Sequence, residues 1–490
     1  MGLEARIQTA WAEASEPLLH RRLCLVLRTL IEDGTTPRGQ RMPATRLLAG
    51  QLGCSRNTVR QAYDQLISEG YLVSHIRGGT FAAELLPARR FDKLATLLDP
   101  DFETALSCYG NELDILPMSV ATQRRAFWPH ETDARHFPFQ TMIRHFAKSW
   151  RGSREDVLRD HDPAGFAPLR RAIATFVLHQ RGIVCEPADI IVCNGTAASF
   201  ELIIKLLLDR NDGVWLEEAN CSNAATAVHM AGGRAMVVPM DEQGIVVEQG
   251  IVRAPSARMA IVSPSTCYPV GTVMSLERRQ ALLDWARHAN ALVIEDDYGC
   301  EFMFEGTSQP AIRAFDQSGR VIYIGSFSSY LFPSLRVSYV IAPPALARRI
   351  ANLRYKLEFH PPMGMQPVIA SMIEDGALAT HIRRMHRVYA ARRAALASAF
   401  ERHLSDHFLL RLPPAGLNAI ARPKAEMGPG EVRRLVQCAM RHDVGLTPVS
   451  TGAETATRRP AILLGFGATD EGEIDHGARR LAAAMQELAG

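Results

Sequence analysis

The sequence predicts an α/β protein of more than one folding unit, a small helical unit ahead of a larger one with a mainly parallel sheet. Three observations predict it. At 490 residues the chain exceeds the roughly 100–200 residues of one ordinary domain. Helical periodicity dominates residues 17–69, whereas from Phe137 onward apolar strand-like runs alternate with amphipathic helices. Between them Pro87, Pro100, Pro117 and Pro129 punctuate a stretch with little periodic pattern.

In chain order, residues 17–34 place Leu18, Leu23, Val26, Leu27, Leu30 and Ile31 near helical spacing and stop at Gly34, a helix terminator. Pro37 to Pro43 form a turn. Thr45 is expected to cap a helix running to Leu52. Gly53 breaks that helix, and Ser55 caps a second one, Arg56 to Glu69, that ends before Gly70. Val59, Tyr63 and Leu66 are read as its core face. The stretch from Tyr71 to Ala83 alternates, pauses at Gly78 and Gly79, and resumes, as a small hairpin does. A helix, two helices meeting at a tight turn and a hairpin make a winged helix-turn-helix, assigned to residues 1–83.

Residues 84–135 are read as a linker and 136–490 as the second unit, with a large part to about 345 and a small part over 346–490. Strands are expected at Ile190–Cys193, Gly213–Leu216, Met259–Ser263, Ala291–Ile294, Val321–Ile324 and Val337–Ala342, with helices such as Ser275 to Ala289 between them.

Composition narrows the class. Hydrophobic residues at 47% and charged residues at 22% exclude a fibrous or mainly disordered chain. No apolar run approaches the roughly 18 residues of a membrane span, and the first residues lack the apolar centre of a signal peptide, so a cytoplasmic location is expected. Nine cysteines without CxxC pairs or finger spacing indicate neither a disulfide framework nor a structural zinc site, and no metal-ligand set is assigned. Residues 1–90 hold twelve Arg, no Lys and eight acidic residues, a surplus of four that leaves the other 400 residues at −1 against +3 overall. That basic bias suits a nucleic-acid surface.

The run Arg46-Leu47-Leu48-Ala49, Leu52, Gly53-Cys54-Ser55-Arg56-Asn57-Thr58-Val59-Arg60, Tyr63, Leu66 and Gly70, with Met42-Pro43 before it and the wing Gly78-Gly79-Thr80-Phe81 after it, resembles the GntR family of bacterial repressor domains. Ser55 and Thr58 at a helix start can bond phosphates, while Arg56 and Arg60, four apart, project from one face toward a major groove. The resemblance implies that Arg46 and the wing residue Arg77, beside Gly78, hold the backbone or enter the minor groove. The implied partner is a double-stranded DNA operator. The competing reading is a solvated helix face on a protein-binding domain; charge, turn chemistry and wing together favour DNA.

From Phe137 to the C-terminus the chain resembles fold-type I aminotransferases, the PLP-dependent-transferase fold, and with the winged unit in front it resembles the MocR-type regulators. The landmarks are Asp162-Pro163-Ala164-Gly165-Phe166 with Pro168-Leu169-Arg170, Asn194-Gly195-Thr196, Pro269-Val270-Gly271, Glu295-Asp296-Asp297-Tyr298, and Gly325-Ser326-Phe327-Ser328 running on to Leu335-Arg336. The resemblance implies a pyridoxal 5'-phosphate site. Gly195 and Thr196 would cradle its phosphate at a helix start. Ser326 and Arg336 would add a hydroxyl and a guanidinium. Asp296 would pair with the pyridinium nitrogen, and Tyr298 would bond the phenolic oxygen.

The family's Schiff-base lysine position is occupied by Ser329, in Ser328-Ser329-Tyr330-Leu331-Phe332-Pro333. The chain's five lysines, Lys93, Lys148, Lys205, Lys356 and Lys424, sit in no motif that reaches the pocket. Transamination uses that amine both as the covalent link and as the proton-transfer base. Where relatives place polar or ring-stacking residues, this chain has Ala197, Ala198, Ala219-Asn220-Cys221 and Thr266-Cys267; Arg458 and Arg459 lie outside the terminal strand Ala461–Phe466. An inactive aminotransferase-like domain is therefore expected.

Three readings of it stay open: pyridoxal phosphate or its amine form bound non-covalently, another small anion in the same pocket, or a dimerisation scaffold. A further idea is that Cys193, Cys221, Cys267 and Cys300 converge as a thiol cluster sensing oxidant or soft metal. The whole is read as a sequence-specific transcriptional regulator, not an enzyme, pairing as a homodimer on repeated half-sites. Its effector is expected to be an amino acid or a vitamin B6 vitamer, with no membrane partner. The rival is a pyridoxal-phosphate-dependent aminotransferase with a fused DNA-binding module.

Overall fold

The computed structural model describes residues 2–75, 78–83, 110, 125–129, 131–152, 162–219, 222–449 and 460–489. The chain divides into two compact units between Ile115 and Leu116.

The first unit contains α1 (Leu3–Glu13), α2 (Leu19–Glu32), α3 (Thr45–Leu52), α4 (Arg56–Ser68), β1 (Leu72–His75) and β2 (Gly79–Ala82). Its core gathers Ile7, Leu23, Leu27, Leu48, Val59, Tyr63 and Leu66, so the expected inner face of α4 is buried. Gly53 in the left-handed conformation, φ 63°, ends α3 and lets the chain turn straight into α4. Ser55 caps α4, its hydroxyl accepting from the Thr58 N–H at 3.0 Å. Thr45 is not a cap: it is the first residue of α3, and its hydroxyl accepts from the Arg56 Nε at 3.4 Å. The Tyr63 hydroxyl donates to the Pro43 carbonyl at 2.9 Å, tying α4 to the turn before α3. Strands β1 and β2 pair antiparallel from Leu72↔Ala82 to His75↔Gly79 and form the wing. Helix α1 was not expected, because Ile7 is its one buried residue and its periodicity is correspondingly weak.

The second unit opens with α5 (Phe139–Gly152), α6 (Ala167–Arg181), β3 (Ile190–Cys193), α7 (Thr196–Leu207), β4 (Gly213–Glu217), α8 (Ser222–Met230) and β5 (Arg234–Val238). A short hairpin, β6 (Met240–Asp241) and β7 (Gly244–Ile245), leads to α9 (Val247–Arg253), β8 (Met259–Val262), α10 (Leu276–His288), β9 (Leu292–Asp296), α11 (Ile312–Phe315), β10 (Val321–Ser326) and β11 (Ser338–Ile341). The order of the central sheet is β3-β11-β10-β9-β8-β4-β5. Only β11 runs antiparallel to its neighbours. Strands such as β3, β4 and β8 are buried at every position, the reason they read as continuous apolar runs. Ile191, Ile294 and Ile324 pack on one sheet face with Ile203 of α7, while Trp215, Val293 and Val321 pack on the other with Leu282 and Trp285 of α10.

Helices α12 (Pro344–Glu358), α13 (Gln366–Glu374) and α14 (Ala377–His403) follow, then β12 (Phe408–Arg411), β13 (Asn418–Pro423), α15 (Pro429–Arg441), β14 (Thr447–Val449), β15 (Ala461–Gly465) and α16 (Glu471–Ala489). The last four strands make an antiparallel sheet, β12-β13-β15-β14. Residues 125–129 and 131–135, expected as part of the linker, belong to this unit instead. Phe127 is wholly buried and its carbonyl accepts from Gly465 N–H at 2.8 Å. Buried Asp133 pairs with Arg392, 259 residues on, and with nearby His136. Phe127 N–H donates to Thr469, 342 residues on, so no local pattern announces these long-range contacts. Among the described residues no helix is long and apolar enough to cross a membrane.

Candidate functional site

In the first unit, α4 follows α3 after a turn of three residues, and Arg46, Arg56 and Arg60 are all exposed beside it. Arg60 donates to Asn57 Oδ1 at 2.9 Å, which steadies it on the face that Arg56 also occupies. Ser55 and Thr58 meet at the positive end of α4, their hydroxyls 2.8 Å apart. Gly78 forms the wing turn; Arg77 lies outside the described residues. Arg41, which the sequence pattern did not single out, bridges to Phe81 as a third wing segment and is exposed, its guanidinium lying over Gly79. Its signal was positional: an Arg just before the Met42-Pro43 turn.

In the second unit, the expected pocket residues lie along one edge of the central sheet, where parallel strands end. Ser326 ends β10 and faces Ser338 of β11, which in turn faces Cys193 at the end of β3. Gly195 then starts α7 at φ 91°, a conformation glycine tolerates. A Cβ at Gly195 would sit 2.6 Å from Arg336 Cζ, so the guanidinium lies directly against this backbone. Arg336 itself holds a left-handed φ of 51°. A cation packed on the positive end of a helix is repulsive unless an anion lies between them, so the pair forms a cradle for phosphate-like groups. Thr196 follows in the first turn of α7. The Ser326 hydroxyl accepts from Ser328 N–H at 3.2 Å and keeps its own hydrogen to donate.

Asp296 ends β9 and pairs in register with Ile324 of the neighbouring β10. Its carboxylate makes no hydrogen bond or ion pair among the described residues, while burial, then the charges of Asp297 and Glu217, push its pKa up to about 7. A carboxyl in that state accepts a proton or a cationic donor readily. Asp297 next to it is the opposite: Arg181 grips both its oxygens, at 2.6 and 3.1 Å, and Tyr323 donates to it at 2.6 Å. Burial opposes its charge, yet Arg181, Ser265 and Tyr323 hold its pKa below the usual range. Arg181, on α6, is therefore the residue that fixes the Asp296-Asp297 turn. Its one sequence signal is a charge on the apolar face of a helix. Buried Glu217, pushed up to about 7 by burial, accepts from Ser263 N–H at 2.9 Å. Tyr298 is half-buried, its ring set edge-on to Tyr268 with centroids 6.2 Å apart. It lines a small open cleft with Thr266, Tyr268, Pro413 and Asn418.

Ser329 is half-buried, and its hydroxyl donates to the Ser326 carbonyl at 3.3 Å. Lys148, Lys205, Lys356 and Lys424 are all exposed; Lys93, like Arg458 and Arg459, lies outside the described residues. The anion cradle and the Asp296 carboxylate thus suit the phosphate and ring nitrogen of pyridoxal phosphate, whereas position 329 offers no amine. Among the described residues, Cys193, Cys267 and Cys300 do not form a trio of sulfur atoms within 4.8 Å of one another. Cys193 accepts from Arg354 at 2.9 Å, Cys267 touches Met240 Sδ at 3.7 Å, Cys300 is held far up in pKa by burial and Asp297, and Cys221 lies outside the described residues.

A winged helix-turn-helix ahead of an aminotransferase-type fold defines a DNA-binding regulator with an aminotransferase-like second unit. Comparison with known proteins agrees. The family described as "Bacterial regulatory proteins, gntR family" matches residues 19–82, and "Aminotransferase class I and II" matches residues 131–427. The probable rhizopine catabolism regulatory protein MocR of Rhizobium meliloti is 33% identical over 482 residues, covering 96% of this chain and 94% of that protein. The pyridoxine biosynthesis transcriptional regulator PdxR of Corynebacterium glutamicum is 30% identical, covering 75% of this chain and 76% of its own. The solved kynurenine aminotransferase of Pyrococcus horikoshii superposes with a TM-score of 0.71 at 22% identity, over 79% of this chain and 98% of that one. The chain belongs to the MocR-type transcriptional regulators of the gntR family.

Proposed function

We propose that this regulator reads a repeated operator with α4 and the β1–β2 wing, as a homodimer, and that its second unit is a catalytically silent sensor. The sensor holds a phosphorylated ligand of the vitamin B6 class, pyridoxal 5'-phosphate or its amine form, by non-covalent contacts. One observation carries this: a single sheet edge presents the Gly195–Arg336 cradle and, one strand beyond Ser326, the unpartnered Asp296 carboxylate. The similarity to a protein named as a regulator of pyridoxine biosynthesis supports the ligand class.

When bound, the cofactor supplies an electron-withdrawing ring. The chain's residues do the rest. N–H groups of the first α7 turn and the Arg336 guanidinium hold the phosphate, with the Ser326 hydroxyl donating beside them. Asp296 keeps a proton on the ring nitrogen, and the Tyr298 hydroxyl donates to the phenolic oxygen. Ser329 offers no amine for a Schiff base to an aldehyde and, with no His or Lys bonded to it among the described residues, does not move a proton as a base. In the first unit, Arg46, Arg56, Arg60 and Arg77, with Ser55, Thr58 and Gly78, contact the duplex.

The test is absorbance titration of the full chain with pyridoxal phosphate, then borohydride reduction and mass spectrometry under native and denaturing conditions. The expected result is a ligand seen in the native spectrum and lost on denaturation, with no transamination. A mass increment that survives reduction and denaturation would establish a lysine link and support the enzyme reading. No binding at millimolar ligand would leave the second unit as a scaffold.

A further inference from the structure

We propose that Cys438, His442 and Glu487, none of them a pocket residue named above, form a site for one divalent ion of the zinc class that joins α15 to the last turns of α16. One ligand atom from each lies within 4.8 Å of the other two, and among the described residues no other trio of His, Cys, Asp or Glu side chains does this.

The geometry follows from two packed helices. Cys438 lies on α15 and His442 is its C-cap residue, so a spacing of four puts both on the same face, one turn apart. Leu435, Ala439, Leu481 and Ala484 are buried where α15 meets α16. Cys438 is 1% exposed and its thiol points to the Ala484 carbonyl at 3.4 Å, while Glu487 reaches the same spot from the next turn of α16. Glu487 is already oriented. Arg441 donates to its Oε1 at 2.6 Å, leaving Oε2 to face His442 Nε2 at 2.7 Å.

A tetrahedral zinc site separates ligand atoms by roughly 3.3–3.6 Å, so the His442–Glu487 pair needs to open by less than about 1 Å. The donor set of thiolate, imidazole and carboxylate selects zinc over magnesium or calcium, which take oxygen ligands. Binding breaks the Cys438 S–H bond, the proton leaving to solvent. The thiolate and carboxylate then balance the ion's two charges, and His442 binds neutral. Arg441 keeps its bond to Oε1, the outer contact that aims a ligating carboxylate. His442 and Glu487 face solvent, so water fills the fourth position.

The experiment uses the full chain, stripped with chelator, titrated with Zn²⁺ by calorimetry and with Co²⁺ by absorbance. The expected result is one tight ion per chain and a sulfur-to-cobalt charge-transfer band in the near ultraviolet. Cys438→Ser abolishes the band and Glu487→Gln weakens binding at least about tenfold. Hydrogen exchange of residues 481–489 slows when Zn²⁺ is added. If Cys438→Ser fails to fold, Glu487→Gln at the surface carries the test alone. Absence of tight binding, or a band and affinity unchanged by either substitution, would overturn the proposal and assign any bound ion to other thiols.

Discussion

At the scale of single residues, the proposed ligand cradle requires that position 195 carry no side chain. Alanine there meets both a left-handed backbone and the Arg336 guanidinium 2.6 Å away. Arg336 must then swing off the start of α7. Gly195→Ala is expected to weaken pyridoxal phosphate binding about tenfold or more, the loss of one charge-assisted hydrogen bond of about 1.5–3 kcal/mol, and to leave operator DNA binding near its original strength. Titration of both ligands on the same preparation checks it; unchanged phosphate-ligand affinity would move the cradle elsewhere. A second residue-scale prediction concerns pH. Glu217, Glu295, Asp296 and Glu301 are each pushed to about 7, by burial first. Their unfolded values lie near 4, so the stability they permit is present in acid and lost as pH rises from about 4 to about 7. The unliganded second unit should therefore unfold at lower temperature at pH 8 than at pH 6. A protonated ring nitrogen beside Asp296 offsets part of that loss, so pyridoxamine 5'-phosphate should raise the unfolding temperature more at pH 8. Asp296→Asn should erase that difference, and an equal gain at both pH values in the parent chain would count against the Asp296 contact.

At the scale of elements, the cap of α4 and the arginines on its exposed face separate stability from recognition. Ser55→Ala removes the bond to Thr58 N–H and is expected to cost about 1 kcal/mol of helix stability, lowering the first unit's unfolding midpoint and, with it, operator affinity. Arg56→Ala with Arg60→Ala leaves the cap intact. It should weaken binding without moving that midpoint, and flatten the salt dependence by roughly one unit of logarithmic slope for each DNA phosphate that an arginine no longer neutralises. An unaltered slope would mean that neither arginine touches phosphate. How legible each element was follows from where its determinants lie. β3 matched its apolar run to the residue, since a strand buried on both faces is written locally. β11 was visible as a strand, but its antiparallel direction depends on partners β3 and β10. Phe127 and Asp133 were hidden in a proline-punctuated stretch because what buries them comes hundreds of residues later. Asp296, Tyr298 and Arg336 stand out in the sequence as motif positions. The grip of Arg181 on Asp297 does not, since one partner sits on a helix 116 residues before the other. Cys438 and His442 are four apart, yet Glu487 follows 45 residues after His442, so no spacing announces the trio.

At the scale of the whole molecule, the two units carry separate hydrophobic cores, one around Leu23, Val59 and Leu66 and others around the central sheet. On the proposed reading, a ligand at the sheet edge regulates transcription by favouring one state of the protein over another. Such coupling is reciprocal for binding free energies: if pyridoxal phosphate changes operator affinity by some factor, operator DNA must change pyridoxal phosphate affinity by the same factor. Allosteric couplings typically run to about 1–3 kcal/mol, or roughly 5–150-fold, within reach of both titrations. The prediction is that the two factors agree within error when measured on the full-length chain at one salt concentration, in either direction of effect. Salt must be fixed because phosphate contacts by the first unit make operator affinity fall steeply with it. Gly195→Ala, which disables the cradle, should reduce the response of operator binding to ligand without altering operator affinity in its absence. If ligand binds tightly but neither affinity moves, the second unit binds a B6 vitamer without sensing it, and regulation must be sought in DNA occupancy or in the Cys438 site instead.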